Sequence, residues 1–330
     1  MALLLNRSDV QQVLTMSKAI DVVEAAFGEL ADATAEMPPR TVMIDPAVGG
    51  WIAYMPAYLK SGGALGAKAV TVYKDNPSKF DLPTTIGTIL VQNNETGEVV
   101  AAMDGGYLTA VRTGAVSGVA TRHMARGDSK VGGVLGAGVQ ARQQAIAIAE
   151  ASNVETILTF SLDDDASRRE FAGWVADQTG LDVRLASSGE ELCRESDIVA
   201  LATTAANPIV SAEWWKAGAH INAIGSHAPG VRELDTATIQ RTRIICDQLE
   251  ACMVEAGDLQ IPVEDGDYAW SDVSGNLGDV VNGDTPGRTS DDEVTLFKSV
   301  GLAIQDISCA ALVYREAVAN GIGQEFNFSA

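Results

Sequence analysis

Short apolar runs alternate with longer amphipathic stretches from Val131 onward, and this alternation constrains the fold more than any other feature of the sequence. The apolar runs have the length of strands and recur at the spacing of β-α-β units. They are Val131–Leu135, Thr156–Phe160, Asp182–Leu185, Ile198–Ala202, His220–Ile224 and Arg243–Cys246. Six strands in alternation with helices predict an α/β fold with a doubly wound parallel sheet.

A glycine-rich turn follows the first of these runs. Gly136, Gly138 and Ala141 form a GxGxxA pattern between a strand and a helical stretch. The first glycine permits a tight turn, the second lets a pyrophosphate approach the backbone, and the alanine lets helix and sheet pack closely. This context predicts a Rossmann-type dinucleotide site, although an ordinary tight β-α connection would also use such a turn.

The end of the second run bears on which nicotinamide cofactor binds. An acid there suits the ribose hydroxyls of NAD, whereas a basic residue accepts the extra phosphate of NADP. The run ends in three carboxylates, Asp163–Asp165, with Arg168 and Arg169 close behind. The cofactor is therefore NAD or NADP, and the carboxylates favour NAD.

The first 127 residues have a different pattern, typical of α+β structure. An amphipathic helix is predicted over Met16–Thr34, and strand-like runs follow at Ala64–Tyr73 and Thr85–Gln92. A long helical pattern from Asp292 to Ala319 comes after the sixth strand. We expect that helix to return to the first domain.

Composition excludes several classes of function. With 44 acidic and 23 basic residues the net charge is -21, which repels a nucleic-acid backbone. This acidity fits either a high-salt host or a very soluble cytoplasmic protein. The histidines and cysteines lack metal-ligand spacing, so no metal site is expected.

Nothing in the sequence suggests export or membrane insertion. The four cysteines form no CxxC pair and are expected to be buried thiols in a reducing compartment. The N-terminus lacks a signal-peptide pattern, and no apolar run reaches about 20 residues. A cytoplasmic location is expected.

Eight motifs occur along the chain in a characteristic order. They are Met37–Arg40, Met55–Ala57, Gly66–Lys68, Leu82–Thr84, Leu108–Ala115, Gly136–Gln140, Asn222–Gly225 and Thr295–Gly301. In these motifs nearly the whole chain resembles the ornithine cyclodeaminase/mu-crystallin family. That family contains ornithine and lysine cyclodeaminases, archaeal alanine dehydrogenases, cyclic ketimine reductases and the nucleotide-binding mu-crystallins.

The resemblance implies a domain arrangement. A substrate-binding and dimerising domain is expected from both chain ends, residues 1–127 and 301–330, with the nucleotide-binding domain at residues 128–300. A homodimer acting on a small imino or amino acid is implied.

The resemblance also implies site residues. Arg40 and Arg112 would hold the substrate carboxylate, since a guanidinium binds a carboxylate bidentately. Arg112 is expected to open a helix over Thr113–Met124, whose N-terminus favours an anion. Lys68 lies in an apolar run, where a lone ammonium is costly without a partner or a shifted pKa, so we expect it to transfer protons.

His227 departs from the family pattern, because the cyclodeaminases and the archaeal alanine dehydrogenase have an aspartate there. Histidine can exchange protons near neutral pH but is bulkier than aspartate. His227 is therefore a candidate catalytic residue, or else a loop residue beside the cofactor.

The remaining expected contacts are with cofactor and substrate. Expected cofactor contacts are Thr113, Gly136, Ala137, Gly138, Val139, Gln140, Ser161, Asp163, Thr203, Thr204 and Gly225. Met55 is expected at the substrate. Pocket walls are expected from the region of Met43, Trp51, Tyr54, Met55 and Tyr73, although apolar and aromatic residues there would equally suit the core or a dimer interface.

Three functions remain open from the sequence. The first is an oxidoreductase that passes hydride between a nicotinamide and the α-carbon of an imino or amino acid. The second is an ornithine cyclodeaminase with tightly bound NAD, and the third is a nucleotide-dependent binding protein like mu-crystallin. The change from aspartate to His227 and the retention of Arg40, Arg112 and Lys68 favour the first.

Overall fold

The computed structural model describes residues 1–47 and 49–328. They form two compact units, one from Met1–Arg112 with Leu302–Ala330, the other from Thr113–Gly301. The assignment of substrate binding to the first unit and cofactor binding to the second stays a prediction. None of the helices in the described ranges combines the length and apolar character needed to cross a bilayer.

The N-terminal part of the first unit is a mixture of strands and helices. Its strands are β1 (Ala2–Leu5), β2 (Ala35–Glu36), β3 (Thr41–Asp45), β4 (Gly50–Leu59), β5 (Ala64–Tyr73), β6 (Thr85–Gln92) and β7 (Val99–Asp104). Its helices are α1 (Arg7–Val13), α2 (Met16–Ala31), α3 (Asn76–Phe80) and α4 (Gly105–Met124). The predicted Met16–Thr34 helix is thus α2, three residues shorter at its C-terminus.

Helix α4 differs from its prediction. Asp104, at the end of β7, accepts a hydrogen bond from the backbone N–H of Tyr107 at 2.8 Å and so caps the helix start. The helix begins at Gly105 and runs through Arg112. The expectation that Arg112 opens a helix at its anion-favouring N-terminus is therefore wrong.

The second unit contains the predicted parallel sheet with two further strands. The strands are β8 (Val131–Leu135), β9 (Thr156–Phe160), β10 (Asp182–Leu185), β11 (Ile198–Leu201), β12 (His220–Ala223), β13 (Arg243–Cys246), β14 (Gly275–Asn276) and β15 (Thr295–Lys298). The helices are α5 (Val139–Ala151), α6 (Asp165–Thr179), α7 (Gly189–Glu195), α8 (Thr236–Arg241), α9 (Leu249–Glu255), α10 (Gly257–Glu264) and α11 (Leu277–Val281). The 3₁₀ turns Ala212–Trp214 and Trp270–Asp272 complete the unit.

The strand order is β10-β9-β8-β11-β12-β15-β13-β14, and each neighbouring pair is parallel. Alternate residues of each strand pack on opposite faces, for example Val134 on one and Leu135 on the other. Both faces therefore carry a buried apolar cluster, as a doubly wound Rossmann-type sheet requires. The predicted fold class is confirmed.

The chain then returns to the first unit through α12 (Ala303–Asn320) and β16 (Gln324–Phe326). The predicted long helix from Asp292 to Ala319 is wrong in its first part, because Thr295–Lys298 is a buried strand between β12 and β13. Strand β16 pairs antiparallel with β1 at the edge of the first unit's sheet. That sheet has the order β16-β1-β7-β6-β5-β4-β2, with β3 also on β4.

Candidate active site

Strand register brings the predicted substrate residues of the first unit together. Met55 on β4 pairs with Lys68 on β5, so both side chains lie on the same face of the sheet. Arg40 comes one residue before β3, whose Thr41 pairs with Tyr54, and its positive charge acts on Lys68. Met55 and Lys68 are both buried.

The five expected pocket residues divide between the two faces of this sheet. Trp51 lies on the face of Met55 and Lys68, since residues two or four apart on a strand share a face. Met43, Tyr54 and Tyr73 lie on the opposite face. Two of the five thus share the face of Lys68 and three do not, and their part in a substrate pocket stays a prediction.

Helices α4 and α12 supply charged partners for Lys68. The Lys68 Nζ lies 2.6 Å from Asp306 Oδ2, and the Arg112 Nε donates to Asp306 Oδ1 at 2.9 Å. Arg112 also donates through Nη1 to Gln305 Oε1, and the Thr109 hydroxyl lies 3.5 Å from Lys68 Nζ. One buried carboxylate thus holds an ammonium and a guanidinium side by side.

This cluster is almost completely removed from solvent. The side chains of Lys68, Arg112 and Asp306 are 1%, 7% and 0% exposed. Asp306 lies in the first turn of α12, where the helix dipole favours a negative charge. Arg112 thus uses its Nε group for Asp306 and its Nη1 group for Gln305.

Burial lowers the pKa of Lys68 to about 7. The negative charge of Asp306 opposes this shift, whereas the positive charges of Arg112 and Arg40 add to it. An amine that titrates near neutral pH can both give and accept a proton under physiological conditions.

Lys298 is a second buried lysine with the same pairing and the opposite shift. Its Nζ lies 2.6 Å from Asp258 Oδ2, and both side chains are fully buried in the second unit. Burial works to lower the pKa of Lys298, but Asp258 and then Glu233 outweigh it, and the pKa is raised. Among the nearby charges, Glu233 raises the pKa of Lys298, whereas Arg112 and Arg40 lower the pKa of Lys68.

The glycine-rich turn of the second unit fits a dinucleotide. Gly136 has φ +114°, and a Cβ there would lie 2.5 Å from the carbonyl oxygen of Ala202. Gly138 is the N-cap of α5, and a Cβ there would meet nothing within 4 Å. The N–H groups of the first turn have no intrahelical acceptor and suit a pyrophosphate.

Two buried polar atoms near this turn suit the same ligand. The Ser161 hydroxyl, just after β9, and Gln140 Oε1, in α5, have no hydrogen-bond partner among residues 1–47 and 49–328. Both were expected to contact cofactor. Buried polar groups without partners are uncommon in folded proteins, so a bound polar molecule would satisfy them.

Thr203 and Gly225 are held by a residue that the sequence did not single out. The carboxylate of Glu233 accepts from the Thr203 backbone N–H and hydroxyl at 2.8 and 2.7 Å, and from the Gly225 N–H at 2.9 Å. It lies so close to Gly225 that a Cβ there would be 2.4 Å from Glu233 Oε1. Glu233 therefore fixes the ends of β11 and β12. The N–H and hydroxyl of Thr203 and the N–H of Gly225 already donate to this carboxylate.

The other expected residues are placed as follows. His227 is exposed after β12, with its Nδ1 3.0 Å from the carbonyl oxygen of Gly225. Asp163 is exposed after β9, Thr204 is exposed after β11, and Thr113 is buried in α4. The backbone carbonyl of Thr113 accepts from Gln144 Nε2 at 3.2 Å. Ala137 and Val139 flank Gly138 in the turn.

A family model for the ornithine cyclodeaminase/mu-crystallin family matches residues 1–321. The chain belongs to this family. It is 33% identical over 327 residues to a Bacillus cereus Delta(1)-pyrroline-2-carboxylate reductase, which covers 99% of this chain and 100% of the relative.

Solved structures of the family have the same fold. Thermococcus litoralis Delta(1)-pyrroline-2-carboxylate reductase in complex with NADH and L-proline matches with a TM-score of 0.94 and 39% identity, over 98% of this chain and all of that one. An archaeal alanine dehydrogenase dimer with bound NAD matches with a TM-score of 0.92 and 34% identity, over 99% of both chains.

Proposed function

We propose that this family member is an NAD-dependent oxidoreductase that reduces the imine carbon of a small imino acid, or oxidises the corresponding amino acid. The observation that carries the proposal is the buried cluster of Lys68, Arg112 and Asp306 beside Arg40. It combines a proton-exchanging amine with guanidinium groups that suit a carboxylate. Relatives with reductase and dehydrogenase names support the same chemistry.

The residues take complementary roles in this reaction. Arg40 and Arg112 bind the substrate carboxylate and so orient the imine. NADH, when bound at the Gly136 turn, supplies the hydride for the imine carbon. Lys68 in its ammonium form donates a proton to the imine nitrogen, which balances the reduction to an amine. His227 is the alternative proton donor.

NAD is proposed over NADP because Arg168, behind β9, is already engaged by other groups of the protein. Arg168 stacks 5.1 Å from the centre of the Phe160 ring and donates to the carbonyl oxygen of Ala186 at 2.5 Å. Asp163 is exposed at the strand end, where a carboxylate suits ribose hydroxyls and repels a phosphate. NAD complexes of family relatives support this choice.

The test of the proposed function follows nicotinamide absorbance with purified protein. NADH and NADPH are offered with pyrroline-2-carboxylate, piperideine-2-carboxylate, and pyruvate plus ammonia. Oxidation of NADH with one substrate class, and slower oxidation of NADPH, is expected. Ammonia release from ornithine with NAD and no net change in nicotinamide would instead support a cyclodeaminase. Nucleotide binding without turnover would support a binding protein.

The pH dependence of the reaction should report Lys68. The ammonium form is the donor, so kcat/KM for imine reduction should fall about tenfold per pH unit as pH rises through about 7. Amino acid oxidation should rise over the same range, because it needs the neutral amine. Rates from pH 5.5 to 9 in the wild type and a His227→Gln variant are the measurement. If kcat/KM for imine reduction no longer fell with rising pH in that variant, His227 would be the proton donor instead.

We propose a homodimer built on the open face of the first unit's sheet. Leu90 on β6 and Tyr54 on β4 are 40% and 45% exposed on the face opposite Lys68. Apolar side chains exposed on one sheet face mark an interaction surface, and the archaeal relative is a dimer. Sedimentation should give about twice 34.5 kDa, and Leu90→Arg should shift it towards the monomer. A monomeric wild type at micromolar concentration would refute the dimer.

A further inference from the structure

Lys68 is surrounded by more positive than negative charge, and this imbalance has a consequence for substrate binding. The inference rests on the proposed function. From α12, Asp306 faces Lys68; from α4, Arg112 and Thr109 face it; and Arg40 acts on it from the segment before β3. Asp306 thus serves one ammonium, that of Lys68, and one guanidinium, that of Arg112.

Other neighbours on the same sheet face add no charge. Met55 and Ile89 pair with Lys68 from β4 and β6, and both are apolar. Cys309 lies near Asp306 on α12, and burial raises its pKa to about 12, so its thiol stays neutral. A further anion next to Lys68 would therefore have to come from outside the cluster.

The Lys298 pair shows what a second carboxylate does. Both lysines are buried and both lie 2.6 Å from an aspartate. Lys298 also has Glu233 acting on it, and it holds its proton more tightly than an ordinary lysine. Lys68 has Arg112 in the corresponding role and holds its proton less tightly. Nearby negative charge therefore favours the ammonium form of a buried lysine, and nearby positive charge disfavours it.

We propose that the substrate carboxylate supplies the second negative charge at Lys68, so that the amine takes up a proton when substrate binds. Asp306 is the positioning residue that holds Lys68 and Arg112 together for this purpose. One proton passes from solvent to Lys68 Nζ on binding, and then from Nζ to the imine nitrogen as hydride reaches the carbon. The amine ends neutral, ready for the next cycle. Substrate binding thus increases the fraction of Lys68 that is in its acid form.

Calorimetric titration with pyrrole-2-carboxylate tests this directly, without turnover. The compound is a planar ring carboxylate whose ring nitrogen does not titrate near neutral pH. Titrations of the NADH-loaded protein at pH 8, in buffers of different ionisation enthalpy, count protons taken up per bound ligand. We expect about 0.5 to 1 proton, because an amine with a pKa near 7 is mostly neutral at that pH before binding. The uncharged pyrrole-2-carboxamide should cause no uptake.

Three variants assign the proton. Lys68→Met should bind the carboxylate without proton uptake, and Asp306→Asn should reduce the uptake. Lys79→Met is the matched control, since Lys79 lies 2.6 Å from Asp75 in the same unit but is 61% exposed. Its uptake should equal that of the wild type.

The outcomes separate this inference from the proposed function. Binding of pyrrole-2-carboxylate without proton uptake in the wild type would overturn the inference alone. If the Lys68→Met variant took up as many protons on binding as the wild type, the inference alone would also be overturned. Failure of both pyrrole-2-carboxylate and pyruvate to bind would overturn the proposed imino acid site, and the inference with it.

Discussion

Replacing Lys68 with methionine should lower kcat/KM for imine reduction by about 10²- to 10⁴-fold, the usual contribution of a positioned general acid. Methionine has a similar length but carries no proton to give. Affinity for NADH should remain, because the Gly136 turn that suits the pyrophosphate belongs to the other compact unit. Initial rates and NADH fluorescence titrations on the same preparation measure the two effects.

A Lys68→Arg variant distinguishes proton transfer from charge. Arginine restores the positive charge beside Asp306, but a guanidinium does not release its proton in proteins. Activity should therefore stay low in Lys68→Arg. If either variant kept kcat/KM within about threefold of the wild type, Lys68 would not be the proton donor.

Replacing Gly136 with alanine should weaken NADH binding by about 10²-fold, or ~3 kcal/mol. At φ +114° a side chain is strained, and the added Cβ would lie 2.5 Å from a backbone oxygen that cannot move away cheaply. The turn between β8 and α5 must then shift, and with it the helix N-terminus. Fluorescence titration with NADH, together with urea unfolding of the free protein, measures both consequences.

Two other glycines separate ligand effects from folding effects. Gly138→Ala adds a Cβ that meets no protein atom within 4 Å, so stability should hold while NADH affinity falls, because only the ligand lies near. Gly173→Ala lies in the exposed middle of α6 with no neighbour within 4 Å, and should stabilise the protein by about 0.5–1 kcal/mol. Unchanged NADH affinity in both Gly136→Ala and Gly138→Ala would place the nucleotide elsewhere.

The parallel sheet was predictable because its central strands are buried on both faces and most of its strands are separated by helices. Six strands were found in this way, with ends differing by at most one residue. Strand β15 was missed because its apolar run, Thr295–Lys298, comes four residues before α12. Because β15 and α12 are so close, their apolar residues form one continuous pattern in the sequence. A helical period fits that pattern as well as a strand period does.

The site was only partly predictable, for reasons that differ between residues. Lys68 was found because a lone charge in an apolar strand requires a partner. Asp306 gives the same signal in the apolar run Ala303–Val313, and pairing it with Lys68 would have been a fair prediction. Glu233 gives no such signal, because it lies in a polar loop and reaches Thr203 and Gly225 only through the chain reversal after β12.

Strand β16 and helix α12 belong to the unit that the chain begins, yet they follow the Rossmann-type unit in the sequence. During synthesis Thr113–Gly301 is therefore translated before Asp306, and domains generally fold as they emerge. Lys68 and Arg112 therefore lack the carboxylate of Asp306 until the Rossmann-type unit has been translated. A chain that stopped after Gly301 would retain the Gly136 turn but could not form the acid–base cluster.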